Sequence, residues 1–175
     1  MLIAHIVPGY FAAVRSQKRR RSDWTGLKRA ALWAAAISGT VFPDADVIGN
    51  LLFNRAFGHH VLWTHAIWAP VALLILCRLV LRSPRYLWAN SAFNLFAVGW
   101  LSHIGLDLLV HGTPLFYPLS MIGFELAPSS IVEGGLWTYL SHPLFLLEPL
   151  MLIAAVLHWT HSFLPRCLSN VIRKS

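Results

Sequence analysis

Histidine and aspartate side chains recur beside the most hydrophobic stretches of this chain, in FPDADVIGN, GHHVLWTH and WLSHIGLDLLVHG. An imidazole or carboxylate near a bilayer core is costly, so it is retained mainly where it pairs, binds an ion or lines a watery cavity. His103 and Asp107 are four residues apart and therefore share one helix face, where they could bind one ion. These stretches point to a polar functional site.

Seven such side chains form the candidate metal site of this sequence. They are His5, Asp44, Asp46, His60, His65, His103 and Asp107. Imidazoles and carboxylates together suit zinc, manganese or iron, and this many ligands are compatible with two ions. Glu148 and His111 are possible additional ligands. Each residue alone could instead cap a helix or be a hydrogen-bonded core histidine, so the prediction depends on their convergence.

The spacing within the motifs predicts how these side chains are presented. Pro43 biases Phe42 away from helical angles, which lets the two carboxylates of FPDAD extend from a turn. His60 and His65 are about 140° apart around a helix. We therefore expect His60 in an entering loop or first turn and His65 within the helix.

The composition identifies the environment of these groups. Of the 175 residues, 57% are hydrophobic and 12% are charged, whereas soluble domains have about 25% charged residues. Hydrocarbon offers the backbone no hydrogen-bond partner, so the apolar runs must form helices. We predict an all-α integral membrane bundle of four to five transmembrane segments, in contact with the lipid bilayer and forming a single domain over residues 1–175.

Five apolar segments are candidate spans. They cover residues 2–14, 27–42, 62–81, 88–110 and 143–159. The third and fourth reach the roughly 20 residues that cross hydrocarbon. The first two are short and would have to tilt, thin the bilayer or lie partly inside the bundle.

Lysine and arginine residues collect in the connections 15–29 and 78–85 and in the tail 160–175. The positive-inside rule places these regions in the cytoplasm, so the amino terminus lies outside and the tail ends inside as an interfacial stretch. The loop 112–141 is then an extracytoplasmic cap over the site. All seven candidate ligands lie on that same side.

The same topology explains the net charge of +7 without a nucleic-acid partner. Cys77 and Cys167 both fall on the reducing side and lack metal-site spacing, so we expect no disulfide and no metal site there. His158 and His161 lie on the wrong side for the metal site.

The ordered set of motifs resembles a known family. His5 followed by PDAD, GHHVLWTHA, GWLSHIGLDLL and GTPLFYP is similar to the YdjM-like family of bacterial membrane-bound metal-dependent hydrolases, from the amino terminus to about Pro118. The resemblance implies a multi-helix protein of the bacterial inner membrane, with a predicted hydrolase activity and a metal site likened to that of zinc phospholipases C.

The resemblance also implies roles for individual residues. The pairs Asp44 and Asp46, His60 and His65, and His103 and Asp107 match the family motifs Pro-Asp-x-Asp, His-Arg-Gly-x-Thr-His and Ser-His-x-x-x-Asp. One position departs from the pattern, because Val61 stands where the family has arginine. The role of that arginine is either missing here or taken by Arg55.

The resulting hypothesis is a metal-dependent hydrolase. One or two divalent ions, zinc before manganese or iron, would lower the pKa of a bound water, whose hydroxide attacks a lipid-linked or small phosphoester at the outer leaflet. Asp46 would be the base or a bridging ligand. The alternatives are a haem carrier with His65 and His103 as axial ligands, or a metal or proton transporter. Paired carboxylates at one rim of the bundle favour the hydrolase.

Overall fold

The computed structural model describes residues 4–19, 25–45, 63–109, 112–126, 137 and 140–172. These ranges contain the helices α1 (Ile6–Arg19), α2 (Gly26–Val41), α3 (Trp68–Val80), α4 (Leu87–Asp107) and α5 (Leu147–Ile172). They hold no β-strand, and their only strand-like pairing is an isolated antiparallel bridge between Thr113 and Phe124. The all-α prediction is confirmed for this part of the chain.

Local chemistry explains where the helices begin. The side chain of Thr25 caps α2 by accepting a hydrogen bond from the Lys28 amide at 3.4 Å. Pro70 lies in the first turn of α3, where its missing N–H removes no hydrogen bond. Short 3₁₀ turns that start at Pro84 and Pro143 lead into α4 and α5. The helices α2 to α5 thus start at a cap or near a proline.

Two glycines allow α2 and α4 to approach each other closely. These two helices share the most extensive contact in the bundle. A Cβ atom on Gly39 would overlap the Phe96 backbone, and one on Gly99 would lie 2.6 Å from the Ala36 carbonyl oxygen. Small residues at such a crossing are the usual way in which membrane helices gain packing contacts.

The helix directions bring three helix termini to one end of the bundle, which we call the site end. The Trp88 indole donates a hydrogen bond to the Lys28 carbonyl at 3.3 Å, so the first turns of α4 and α2 lie together and the two helices run parallel. Gly9 of α1 lies against Ala36 and Thr40 of α2, so α1 runs antiparallel to them. The site end therefore contains the start of α1 and the ends of α2 and α4.

Only one described helical segment, Pro143–Ser162, is long and apolar enough to cross a membrane by its length and composition. The helices α1, α2 and α3 have 14, 16 and 13 residues, respectively. Their lengths are therefore about 21, 24 and 20 Å, less than the roughly 30 Å of the hydrocarbon core. The structure thus leaves the predicted count of four to five spans unconfirmed.

The structure differs from the predicted segments at both ends of the chain. α1 begins later than residue 2 and continues through the basic residues to Arg19, because lysine and arginine are good helix formers even where the apolar pattern stops. At the other end, the predicted tail from residue 160 is continuous with α5 as far as Ile172.

The structure also corrects two local predictions. Phe42 keeps helical angles, with φ −60° and ψ −40°, and α2 ends because Pro43 has no N–H to continue the ladder. His65 lies in a 3₁₀ turn before α3 and not within the helix. A helix that began at residue 62 would place Pro70 in its interior, where proline breaks the hydrogen-bond ladder.

Candidate metal centre

The structure brings together five of the seven predicted ligands at the site end. They are His5, Asp44, His65, His103 and Asp107. His5 directly precedes α1, Asp44 follows the end of α2, and Asp107 is the last residue of α4. The cluster therefore depends on three helix termini and on the 3₁₀ turn before α3.

Asp107 is the centre of the cluster. Its Oδ1 lies 3.1 Å from Nε2 of His5. Its Oδ2 lies 3.0 Å from Nε2 of His103 and 3.5 Å from Nε2 of His65. All four side chains are buried. A single carboxylate thus faces the Nε2 atoms of three imidazoles that come from three separate parts of the chain.

His103 links two overlapping groups of candidate ligands. The first contains His5, His103 and Asp107, and the second contains Asp44, His65 and His103, with the ligand atoms of each group within 4.8 Å of one another. The Oδ1 atom of Asp44 lies 3.5 Å from Nε2 of His103. The rings of His5 and His103 are stacked, with centroids 4.0 Å apart. His103 could therefore bind a single ion, or it could be a ligand at either of two adjacent ion positions.

The protonation of His103 follows from its backbone contact. Its Nδ1 atom lies 2.7 Å from the Thr40 carbonyl oxygen, which can only accept a hydrogen bond, so Nδ1 carries the proton. In the neutral ring, Nε2 then presents its lone pair to Asp107 and Asp44. This is the arrangement of a metal-ligating histidine whose other nitrogen is fixed by a backbone carbonyl.

The His65 ring is held by Thr64 and Trp100. Nδ1 of His65 lies 3.2 Å from the Thr64 hydroxyl oxygen, and the Trp100 indole donates a hydrogen bond to the Thr64 carbonyl at 2.5 Å. Trp100 is itself buried, with Ala69 and Ile104, in a core cluster. The 3₁₀ turn is therefore attached to α4, which directs Nε2 of His65 toward Asp107.

The donor set fits a divalent cation. Tetrahedral ligands at zinc bond lengths of about 2.0–2.1 Å are separated by about 3.3 Å, and the separations from Asp107 and Asp44 are 3.0–3.5 Å. Among the described residues, Nε2 of neither His5 nor His103 makes a well-formed hydrogen bond. The buried lone pair on Nε2 of His103 faces carboxylates, which is costly without a proton or cation between them. Two aspartates supply the charge that balances one divalent ion.

Asp44 forms the accessible side of the cluster. Its side chain is 43% exposed, whereas those of His103 and Asp107 are at most 1% exposed. Ala45 donates a backbone hydrogen bond to the Phe42 carbonyl at 3.0 Å, which closes the turn that presents Asp44. Of the five ligands that the structure brings together, Asp44 is therefore the one whose side chain is open to solvent.

Several predicted residues are not part of the described cluster. Asp46, His60, Arg55 and His111 lie outside the residues that the structure describes, so their predicted roles stay predictions. Glu148 is buried in the first turn of α5, but it belongs to neither of the two groups of candidate ligands.

The remaining described histidines have other surroundings. His142 accepts a hydrogen bond from the Leu144 amide and caps the 3₁₀ turn before α5. His158 contacts the Tyr10 hydroxyl at 3.0 Å and the Ser162 hydroxyl at 3.3 Å. His161 is exposed. These contacts are typical of structural histidines.

The supporting residues of the site were not identified from the sequence. Thr64 directly precedes His65, and that adjacency could have indicated a hydroxyl partner for the ring. Thr40 acts through its backbone carbonyl, which any residue would supply, so its side-chain type carries no signal. Trp100 acts across 36 positions of sequence, a pairing that no local pattern predicts.

Comparison with known proteins places this chain in a family. The family model of the YdjM inner membrane proteins matches residues 1–167, which is nearly the whole chain and includes every candidate ligand. Neither the curated proteins nor the solved structures that were searched contain a match. The chain therefore belongs to the YdjM family of inner membrane proteins.

Proposed function

We propose that this protein is a membrane-bound metal-dependent hydrolase that cleaves a phosphoester. The observation that supports this proposal is the buried cluster of three imidazoles around Asp107, with Asp44 at its accessible side. The family match supports the membrane location, and the proposal of an activity depends on the chemistry of the cluster.

In this proposal the buried described residues bind the metal ion. Nε2 atoms of His5, His65 and His103, together with Asp107, would hold one or two divalent ions, of which zinc suits this donor set best. Such an ion supplies Lewis acidity, which polarises a phosphoryl oxygen and acidifies water. Burial of these four side chains keeps bulk solvent away from the ligand atoms.

Two further groups would complete the reaction. Asp44 is accessible and lies 3.5 Å from Nε2 of His103, so it can accept a proton from water at the edge of the ligand cluster or complete the ligand set. Asp46, which lies outside the described residues, stays the predicted base or bridging ligand. Both carboxylates follow the same proline turn in the sequence.

The geometry argues against the haem and transport alternatives. Nε2 of His65 and Nε2 of His103 lie 3.5 and 3.0 Å from the same oxygen of Asp107. This oxygen atom occupies the place where a porphyrin would have to lie between its two axial ligands. A transporter commonly places its ion site at broken helices near mid-membrane. Here the ligands come from helix termini at one end of the bundle.

The proposed orientation places the site end outside the cytoplasm. Described basic residues lie at the opposite end of the bundle, at the start of α2 and in the connection that precedes α4: Lys28, Arg29, Arg82 and Arg85. By the positive-inside rule that end faces the cytoplasm. The ligand cluster would then act on a substrate at the outer leaflet of the inner membrane.

Phosphoester hydrolysis by the purified protein tests this function. We expect turnover that a chelator abolishes and that added zinc restores. His103→Ala and Asp107→Asn should each lower the rate by more than about 100-fold, because loss of a ligand costs at least as much as loss of a supporting residue. His161→Ala, which changes an exposed histidine of α5, is the matched control and should keep the wild-type rate.

The same assay tests the orientation. A membrane-impermeant aryl phosphate should be hydrolysed by intact spheroplasts and not by sealed inverted vesicles until detergent is added. Turnover that resists chelation would contradict the metal-dependent reaction. Hydrolysis only in inverted vesicles would contradict the orientation.

A further inference from the structure

A folded loop at the site end exposes a concentration of apolar side chains. We call residues 112–126 the apolar loop. Leu119 is 91% exposed and Ile122 is 69% exposed, and Phe116, Met121 and Leu126 are also exposed. The segment contains one charged residue, Glu125. Large exposed apolar patches of this kind mark protein or membrane contacts.

The apolar loop has a defined backbone structure that presents these side chains. Thr113 and Phe124 exchange two backbone hydrogen bonds, of 3.0 and 2.9 Å. The rings of Phe116 and Phe124 pack edge to face, with centroids 5.6 Å apart. Thr113 is fully buried. The base of the loop is therefore packed, and Phe116, Leu119, Met121 and Ile122, which lie between these two positions, are exposed.

Both ends of the apolar loop are hydrogen-bonded next to the ligand cluster. The Ile67 amide donates to the Leu115 carbonyl at 3.0 Å, two residues after His65. The Leu126 amide donates to the Leu108 carbonyl at 2.8 Å, one residue after Asp107. The loop therefore starts and ends beside candidate metal ligands.

The apolar loop is continuous with an exposed apolar stripe on α3. Trp68, Val71, Ile75 and Leu79 are all exposed and recur at the spacing of one helix face. The Trp68 indole donates a hydrogen bond to the Tyr117 carbonyl at 2.6 Å. The first residue of the stripe is thus joined to the loop. In an inner membrane protein such a stripe contacts lipid, and tryptophan is favoured where the bilayer meets water.

We propose that the apolar loop inserts into the lipid leaflet at the site end, and that the site takes its phosphoester from the plane of the membrane. Lipid is the occupant that suits these residues, because the loop is nearly uncharged and continues the exposed apolar face of α3 in an inner membrane protein. The second half of this proposal rests on the proposed hydrolase function. Its substrate is an amphiphile whose phosphoester reaches the ligands while its hydrocarbon stays in the leaflet.

Fluorescence of an environment-sensitive label tests the insertion without any need for activity. In a Cys77→Ser/Cys167→Ser background reconstituted into phospholipid vesicles, NBD on Leu119→Cys or Ile122→Cys should be blue-shifted and quenched by nitroxide lipids. Ile75→Cys on the α3 stripe is the lipid-facing control, and Ser83→Cys in the exposed connection between α3 and α4 is the aqueous control. Labels at 119 and 122 that behave like the label at 83 would overturn the insertion.

A comparison of substrates tests whether the site takes its phosphoester from the plane of the membrane. Wild-type protein should hydrolyse a long-chain phosphoester in vesicles faster than a water-soluble aryl phosphate. The double variant Leu119→Asn/Ile122→Asn should lower the ratio of these two rates at least about tenfold, because each buried aliphatic side chain contributes more than a tenfold factor. An unchanged ratio would overturn the membrane-plane substrate.

The outcomes separate the two proposals. Absence of turnover on every phosphoester would remove the hydrolase function and the substrate class with it, while the fluorescence result still decides whether the loop inserts. Blue-shifted labels that nitroxide lipids do not quench would indicate that the loop docks on a second protein surface, and that result would overturn insertion.

Discussion

At the scale of single residues, His103 carries most of the argument for a metal centre. Its Nδ1 proton is fixed by the Thr40 carbonyl at 2.7 Å, and its Nε2 faces both Asp107 and Asp44. The pairing of His103 with Asp107 could be predicted from the sequence, because residues four apart share a helix face. The ring stacking with His5 could not, since it depends on how α1 packs against α4.

Thr64 is the residue whose supporting role can be tested most cleanly. Its hydroxyl lies 3.2 Å from Nδ1 of His65, so Thr64→Val removes a hydrogen-bond partner of the ring and keeps the side-chain shape. We expect zinc affinity, measured by competition with a chromophoric chelator, to fall about 10- to 100-fold. Thr64→Ser should restore it, because serine keeps the hydroxyl.

A change elsewhere controls for general effects of the substitution. Thr160→Val removes a hydroxyl that donates only within α5, to the Leu157 carbonyl, and should leave zinc affinity unchanged. Equal affinities of wild type and Thr64→Val would show that Thr64 has no part in orienting His65.

At the scale of the elements, the crossing of α2 and α4 decides whether the ligands can meet. Gly39 and Gly99 let the two backbones approach, and Thr40 then lies where His103 can donate to its carbonyl. From the sequence, the apolar segments indicated the helices themselves. The crossing could not be predicted, because a glycine within an apolar run is equally compatible with a bend, a contact or a lipid-facing position.

Gly39→Ala tests the crossing. The added Cβ atom would overlap the backbone of Phe96, so α2 and α4 must separate. We expect a loss of stability of about 1–3 kcal/mol, as for other overpacked positions, together with reduced zinc retention. Thermal unfolding in detergent and metal analysis of the same sample would measure both effects.

Gly105→Ala is the matched control on α4. A Cβ atom there meets nothing within 4 Å, and alanine favours the helix by up to about 1 kcal/mol. The control should therefore be as stable as wild type or slightly more stable. If Gly39→Ala behaved like Gly105→Ala, the close crossing would not be what holds the ligands together.

Prolines explain why the element boundaries were only partly predictable. Pro43 was expected to change the angles of Phe42, whereas it ends α2 by its missing N–H while Phe42 stays helical. Pro70 moves the start of α3 beyond His65. In both cases the sequence located the proline, and the surrounding packing decided which of its effects prevailed.

At the scale of the whole molecule, membership of the YdjM family and an all-α fold agree with the composition. The charge pattern predicted that polar groups gather at the end opposite the basic residues, and five of the seven do lie at one end of the bundle. The folded loop over residues 112–126 could be predicted only as a cap. Its attachments to Ile67 and Leu108 join residues that are distant in sequence.

Metal content of the purified protein tests the central claim most directly. Wild-type protein isolated without added chelator should contain one or two equivalents of zinc, manganese or iron by elemental analysis. His103→Ala and Asp107→Ala should lose most of it, because both remove ligands at the centre of the cluster. His158→Ala and His161→Ala should retain it. Metal at background level in folded wild-type protein, or equal metal in all four variants, would contradict the account.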